Sequence, residues 1–287
     1  MPLVLTPQNS ASRLVRIAEA FSNAHGNSQF PVDIIQLALG AAEIFQWSDP
    51  ISEIKGADIS GFEGALFPDE SKKKWMLLYN DSIRSPGRVR FTQAHELGHY
   101  VLHRTLRDSF QCADSDMLNW SKDDKDIEGQ ADLFASYLLM PLDDYRSQSN
   151  SEITLDLMGH CADRYGVSLT AAILKWLDST EEKAVVIIST DGYMNWAWSS
   201  DAAWKAGAFF KTRNNIIELP AGSLAANLAV RNDRVGSNMA GRVWFKHADA
   251  EMYLREMKMQ AEQYGHVLTL LHLPNVATVW PPRDTDW

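Results

Sequence analysis

Residues 91–103 read "FTQAHELGHYVLH", with histidines at 95, 99 and 103 and a glutamate directly after the first. On an α-helix, a spacing of four returns a side chain to the same face one turn later, about 6 Å along the axis. His95 and His99 can therefore turn both imidazoles onto one ion. His103 continues the row but stands about 12 Å from His95, too far for all three to share an ion with bonds near ~2 Å. It is left to packing or to supporting the site from behind. Glu96, between the first two, is aimed beside such an ion, where a carboxylate can take a proton from water. A chance match in a chain this long arises on the order of 1% of the time, so the surroundings of the pattern have to support it.

Those surroundings are favourable. "SPG" at 85–87 breaks the chain, and the spacing predicts a helix from about Arg88 to Thr105 with Ala94, Leu97, Val101 and Leu102 facing a core. Just upstream, "GFEGALF" at 61–67 and "KWMLLYN" at 74–80 flank a polar stretch with Pro68, Asp69 and Ser71, the pattern of a β-hairpin with a longish loop. An edge strand of that hairpin would border the site and offer an extended peptide a place to lie.

A catalytic zinc site needs a third protein ligand and one open position. A histidine six residues beyond His99, with a glycine three before it, would fall at 105 and 102, which are Thr105 and Leu102, so that arrangement is excluded. The next helix, "DIEGQADLFASYLLMP", has Ile127, Ala131, Phe134 and Leu138 at helical spacing and stops at Pro141. Glu128 in its first turns is the third-ligand candidate, because a gluzincin arrangement takes that ligand from a separate downstream helix. Asp132, one turn on, can accept the remaining N–H of a ligating histidine and fix its tautomer. Tyr100, Tyr137, Tyr145 and His103 are the candidates for an oxyanion donor. Cys112 lies between the candidate ligands in sequence and is expected, like Cys161, to be a plain unbridged thiol.

"RVRFTQAHELGHYVLH" followed by "EGQADLFASYLLMP" resembles the ImmA/IrrE family of bacterial and phage metallopeptidases, and so does the approach "PVDIIQLALG" to "ISGFEGALF". The similarity covers about residues 31–180, and the tail ending "YGHVLTLLHL" is similar to longer relatives. The resemblance implies a gluzincin-like α+β peptidase core, zinc (with Mn²⁺ as the alternative) held by His95, His99 and Glu128, and Glu96 as catalytic acid and base. It also implies a helix-turn-helix repressor as the protein substrate, with cleavage releasing stress or mobile-element genes. Relatives often carry a DNA-binding domain ahead of the peptidase, and about 30 residues are too few for one.

The remaining chain reads as follows. Ser10 caps a helix carrying Leu14, Ile17, Ala18 and Phe21 at helical spacing, ending near Gly26, and Pro31 suits the first turn of a second helix over "VDIIQLALG". Helices are expected at 153–165 and 168–179 around Gly166, and then the period changes: "KAVVIIST" and "YMNWAWSS" flank Asp191-Gly192, a tight hairpin turn. Beyond it, "GSLAANLAV" reads as a short helix capped by Ser223, and "GRVWFKH" and "HVLTLLHL" as strands. "EMYLREMKMQAEQYG" is open between helix, by propensity, and strand, by pairing through a Tyr264-Gly265 turn. The expected domains are an N-terminal helix (1–30), the zincin-like core (31–141), a helical module resembling a helix-turn-helix (142–182) and a C-terminal α+β, GAF-like sensing or partner-binding domain (183–287). Trp196, Trp198, Trp204, Trp244, Trp280 and Trp287 in the last read as core or interface.

The formal charge of −10 argues against a protein that mainly holds phosphate backbones and suits a basic protein partner better. In 142–180, six acidic residues against three basic leave a net −3, which opposes DNA binding by the helical pair. The start lacks the pattern of a secretory signal and "AVVII" at 184–188 is too short to span a bilayer, so the expected location is the cytoplasm. Two readings compete with the peptidase: a latent, toxin-like protein that binds a repressor or antitoxin, and a DNA-binding regulator.

Overall fold

The computed structural model describes residues 5–58, 61–107, 109–112, 122–261 and 265–281, leaving aside the side chains at 111, 112 and 122–124. The readings that concern the Cys112 side chain, Tyr264 and Trp287 lie outside these. The chain divides into two compact units, Met1–Tyr145 with Ala162–Ser168, and Arg146–Cys161 with Leu169–Trp287.

In the first unit, α1 (Pro7–His25) and α2 (Ile34–Phe45) precede β1 (Ile51–Ala57), β2 (Gly64–Pro68), β3 (Trp75–Asn80), α3 (Pro86–His103), β4 (Phe110–Cys112) and α4 (Lys122–Leu139). The cap of α1 is Thr6, whose hydroxyl accepts from Asn9 N–H; Ser10 is buried inside the helix. Of the apolar residues at helical spacing, Ile17 and Phe21 are exposed, because α1 buries the stripe of Ala11, Leu14 and Val15. Pro31 precedes α2 rather than opening it, since Asp33 takes the cap by accepting from Gln36 N–H at 3.0 Å.

The expected hairpin is present, β2 antiparallel to β3 with Leu66 opposite Leu77. Its edges are not free. The sheet order is β1-β3-β2-β4, with β1 parallel to β3 and β4 antiparallel to β2, so the outer strands are two that local periodicity did not announce. A peptide adding to this sheet would therefore meet β4 or β1 and not the hairpin. Helix α3 packs against β2, β3 and α4, burying Ala94, Leu97 and Val101 completely. Burial of this kind stabilises by about 1.5–3 kcal/mol for each Leu or Val side chain.

In the second unit, the chain continues from α5 (Leu142–Gln148) and α6 (Leu155–Tyr165), both of which begin or end in the first unit, to α7 (Leu169–Ser179). Beyond α7 lies a five-stranded antiparallel sheet of order β6-β5-β9-β8-β7. The β5 (Lys183–Thr190) to β6 (Tyr193–Ser199) hairpin turns at Asp191-Gly192, both with positive φ (52° and 85°), as the dipeptide predicts. The open segment is extended: β8 (Tyr253–Ala261) lies between β7 (Asn232–Ala240) and β9 (His266–Leu273). Pairing on both sides overrides its helical propensity. The core of this unit gathers Val185, Ile187, Leu254, Leu271 and Trp244, whereas Trp198, Trp204 and Trp280 are about half exposed.

Two expectations fail in this unit for a nameable reason. "GSLAANLAV" forms successive turns and no helix. Ser223 Oγ accepts from Ala226 N–H as a cap would, but buried Lys258 of β8 claims carbonyls that a helix would use. Glu256 accepts from Ala225 N–H at 2.6 Å, and Lys258 donates to Leu224 and Asn227 carbonyls at 3.2 and 2.7 Å. "GRVWFKH" is not a strand either, since Gly241–Trp244 is a helical turn that delivers the Trp244 indole N–H to Glu256 at 2.8 Å.

Candidate metal centre

Every candidate metal ligand belongs to the first unit and to one of two helices. Helix α3 carries His95, Glu96, His99 and His103, all buried, and α4 carries Glu128, Gln130 and Asp132. The two helices approach closely at Gly98, where an added Cβ would stand 3.0 Å from Phe134 Cδ1 and 3.2 Å from the Ala131 backbone. The glycine inside "HELGH" thus allows the helix contact that brings Glu128 to the histidines.

His95 Nε2, His99 Nε2 and Glu128 Oε2 form a small triangle, with sides of 2.9 Å between the nitrogens and 3.0 and 3.3 Å from each to the oxygen. These are the ligand atoms of the one metal-compatible group among the described residues. Tetrahedral zinc with bonds of about 2.0–2.1 Å separates its ligands by roughly 3.3 Å, so both the donor set and its spacing fit. Two imidazole nitrogens this close satisfy each other only if one holds a proton, whereas a cation satisfies both lone pairs and the carboxylate together.

The remaining ring nitrogens are held from behind. His95 Nδ1 lies 2.9 Å from Asp132 Oδ1. His99 Nδ1 lies 3.1 Å from His103 Nδ1, and His103 Nε2 lies 3.5 Å from Gln130 Oε1. With Nε2 of His95 and His99 given to an ion, each Nδ1–H donates outward, to Asp132 and to His103, and His103 Nε2–H points to Gln130. Burial pushes the His99 pKa down to about 4, keeping that ring neutral as a ligand requires, and lowers the pKa of His103 behind it. Burial pushes the Glu128 carboxyl up, but in the metal-free site hydrogen bonding with Nε2 of His95 and His99 outweighs it and holds the group well below the usual carboxylate range.

Glu96 is fully buried on the α3 face that meets β2. The oxyanion candidates lie in different surroundings. Tyr100 is buried and donates its hydroxyl to Asp49 O at 2.9 Å, Tyr145 is buried and stacks on Tyr165, and Tyr137 sits about 13 Å along α4 from Glu128. Local sequence reading missed Phe110 and Gln130. Phe110, on β4, stacks on the His99 ring at 4.5 Å, within a stretch read as plain loop. Gln130 had a weak signal, its place between Glu128 and Asp132.

Residues 54–177 match the IrrE N-terminal-like domain family. The chain is 36% identical over 84 residues to "Metallopeptidase ImmA" of Bacillus subtilis (strain 168), an alignment that covers 29% of this chain and 44% of that protein. It thus spans less than half the length of the curated relative it matches. A solved structure, "Mycobacterium tuberculosis transcriptional regulator", shares the fold with a TM-score of 0.50 and 16% identity, over 94% of this chain and 82% of the other.

Proposed function

We propose, from the premise that residues 54–177 form an IrrE N-terminal-like domain, that this chain is a zinc-dependent endopeptidase cutting a regulatory protein, a helix-turn-helix repressor. The observation that carries this reading is the His95–His99–Glu128 triangle with a buried glutamate, Glu96, directly beside its first vertex in the chain. Zinc, or Mn²⁺ in its place, held by His95, His99 and Glu128, would supply a Lewis acid able to lower the pKa of a water toward about 7 and polarise a peptide carbonyl. Glu96 accepts the proton of that water and returns it to the leaving amine. Asp132 and His103 keep the two imidazoles in the tautomer that leaves Nε2 unprotonated.

The substrate lies extended against β4, the outer strand whose Phe110 covers His99, so that its main chain is presented to the site. The C-terminal sheet serves as a sensing or partner-binding domain that governs the enzyme, and the regulated genes belong to stress, mobile-element or defence control. The test incubates purified protein, loaded with Zn²⁺ or Mn²⁺, with the repressor encoded beside it, using Glu96→Gln as control. Cutting by the wild type alone supports the reading. Stable binding by both without cutting replaces it with an interaction protein, and retardation of DNA by either replaces it with a regulator.

A further inference from the structure

Residue 64 sits where β2 runs beneath α3, paired with Tyr79 of β3 on one side and Cys112 of β4 on the other. A Cβ built there would stand 2.6 Å from Glu96 Oε1, 3.0 Å from Glu96 Cγ and 2.6 Å from Thr92 Cγ2. Real Cβ contacts are longer than this, so any side chain at 64 has to displace something. The strand cannot yield easily, because it is hydrogen-bonded to neighbours on both sides. Helix α3 cannot yield easily either, because Ala94, Leu97 and Val101 are fully buried and Gly98 is already in close contact with α4. What remains movable is the end of the Glu96 side chain and the Thr92 rotamer.

We infer that Gly64 is a positioning residue for Glu96: the bare strand at this one point forms the seat of the carboxylate, and its aim at the metal position depends on residue 64 having no side chain. This deepens the peptidase reading and rests on it. It also accounts for a glycine at the first position of a strand paired on both sides, where the residue marks a close approach. The seat is chemically suited to a proton shuttle. Helix and strand together shield from bulk solvent a carboxylate with several torsions of its own, and small errors in the placement of such a group cost large factors in rate.

Four full-length proteins test the inference: Gly64→Ala, Glu96→Ala, the pair combined, and Gly64→Ala with Thr92→Ser. The first readout is thermal stability of metal-free protein, which needs no activity. The Gly64→Ala change should lower Tm in the wild-type background and lower it clearly less where Glu96 has been cut back to alanine. The second readout is repressor cleavage and zinc affinity: Gly64→Ala should lose at least about tenfold in kcat, with zinc affinity and KM within about twofold. Equal Tm losses in both backgrounds overturn the inference. So does recovery of kcat in the Thr92→Ser combination, because the threonine methyl and not the carboxylate would then be what the added Cβ displaces. A wild type that binds no zinc and cuts nothing, with the Tm coupling intact, counts against the peptidase reading and leaves the seat of Glu96 standing.

Discussion

Asp132 Oδ1 lies 2.9 Å from Nδ1 of His95, and Glu128, one helical turn earlier on α4, lies 3.0 Å from Nε2 of the same ring. One helix thus grips a single imidazole at both nitrogens, with one carboxylate at the metal position and the other behind it. Asp132 is largely exposed, yet its partner ring is buried, so its effect is on orientation more than on charge. Asp132→Ala is expected to weaken zinc binding or turnover by roughly 10–100-fold, and Asp132→Asn by less, since the amide oxygen still accepts. Competition titration against a chromophoric chelator measures this. Equal affinity in wild type and Asp132→Ala would show that the contact orients nothing.

At Gly98 the separation of α3 and α4 is set by the absence of a side chain. Gly98→Val should force the helices apart at the point where Glu128 meets the histidines, lowering stability by about 1–3 kcal/mol as overpacking does. Zinc affinity should fall with it. Urea unfolding of zinc-free protein separates the two effects, because it reports the packing cost alone.

Chelation should destabilise the protein without unfolding it outright. Metal bound only by the folded state contributes about 2.7 kcal/mol at a free concentration a hundredfold above Kd, whereas the first unit also keeps a core including Leu14, Leu66, Leu97 and Phe134. Calorimetry with EDTA should therefore show a lower Tm that zinc restores. A Tm indifferent to both would mean that the triangle holds no ion in solution.

Lys175 tests the second unit. It is 4% exposed on α7, and burial lowers its pKa from 10.5 to about 8, partly offset by Asp178. Below pH 8 the fold has to hold a buried ammonium that the unfolded chain would solvate, and this cost is relieved as pH rises from about 8 to 10.5. Lys175→Met should therefore abolish the rise in stability between those pH values. Denaturant titrations across that window measure it. A variant whose stability still rises between about pH 8 and 10.5 would show that another group causes the dependence.

Much of the first unit was legible in the sequence because its decisive signals are local. A four-residue spacing puts His95 and His99 on one helical face whatever surrounds them, and the period of "DIEGQADLFASYLLMP" sets Glu128 and Asp132 a turn apart. The Asp191-Gly192 turn was legible for the same reason, since its positive φ values belong to the residues themselves. The inward face of α1 was not, because Ile17 and Phe21 share helical spacing with Leu14 and only the neighbouring elements decide which stripe is covered.

What the amino-acid order determined by itself, then, is the histidine helix, the acidic helix after it and the residue types able to hold a metal. Tertiary structure alone decided that β1 and β4 flank the hairpin, that Phe110 lies on His99, that Glu96 rests on the bare backbone at Gly64, and that Lys258 claims backbone carbonyls within 221–230. The physical reason is range. Periodicity and turn chemistry act over a few residues, whereas strand order and the claims of a buried charge on distant backbone groups are settled only when separate segments meet, where burial and hydrogen-bond satisfaction outweigh a propensity of a few tenths of a kcal/mol, roughly, per residue.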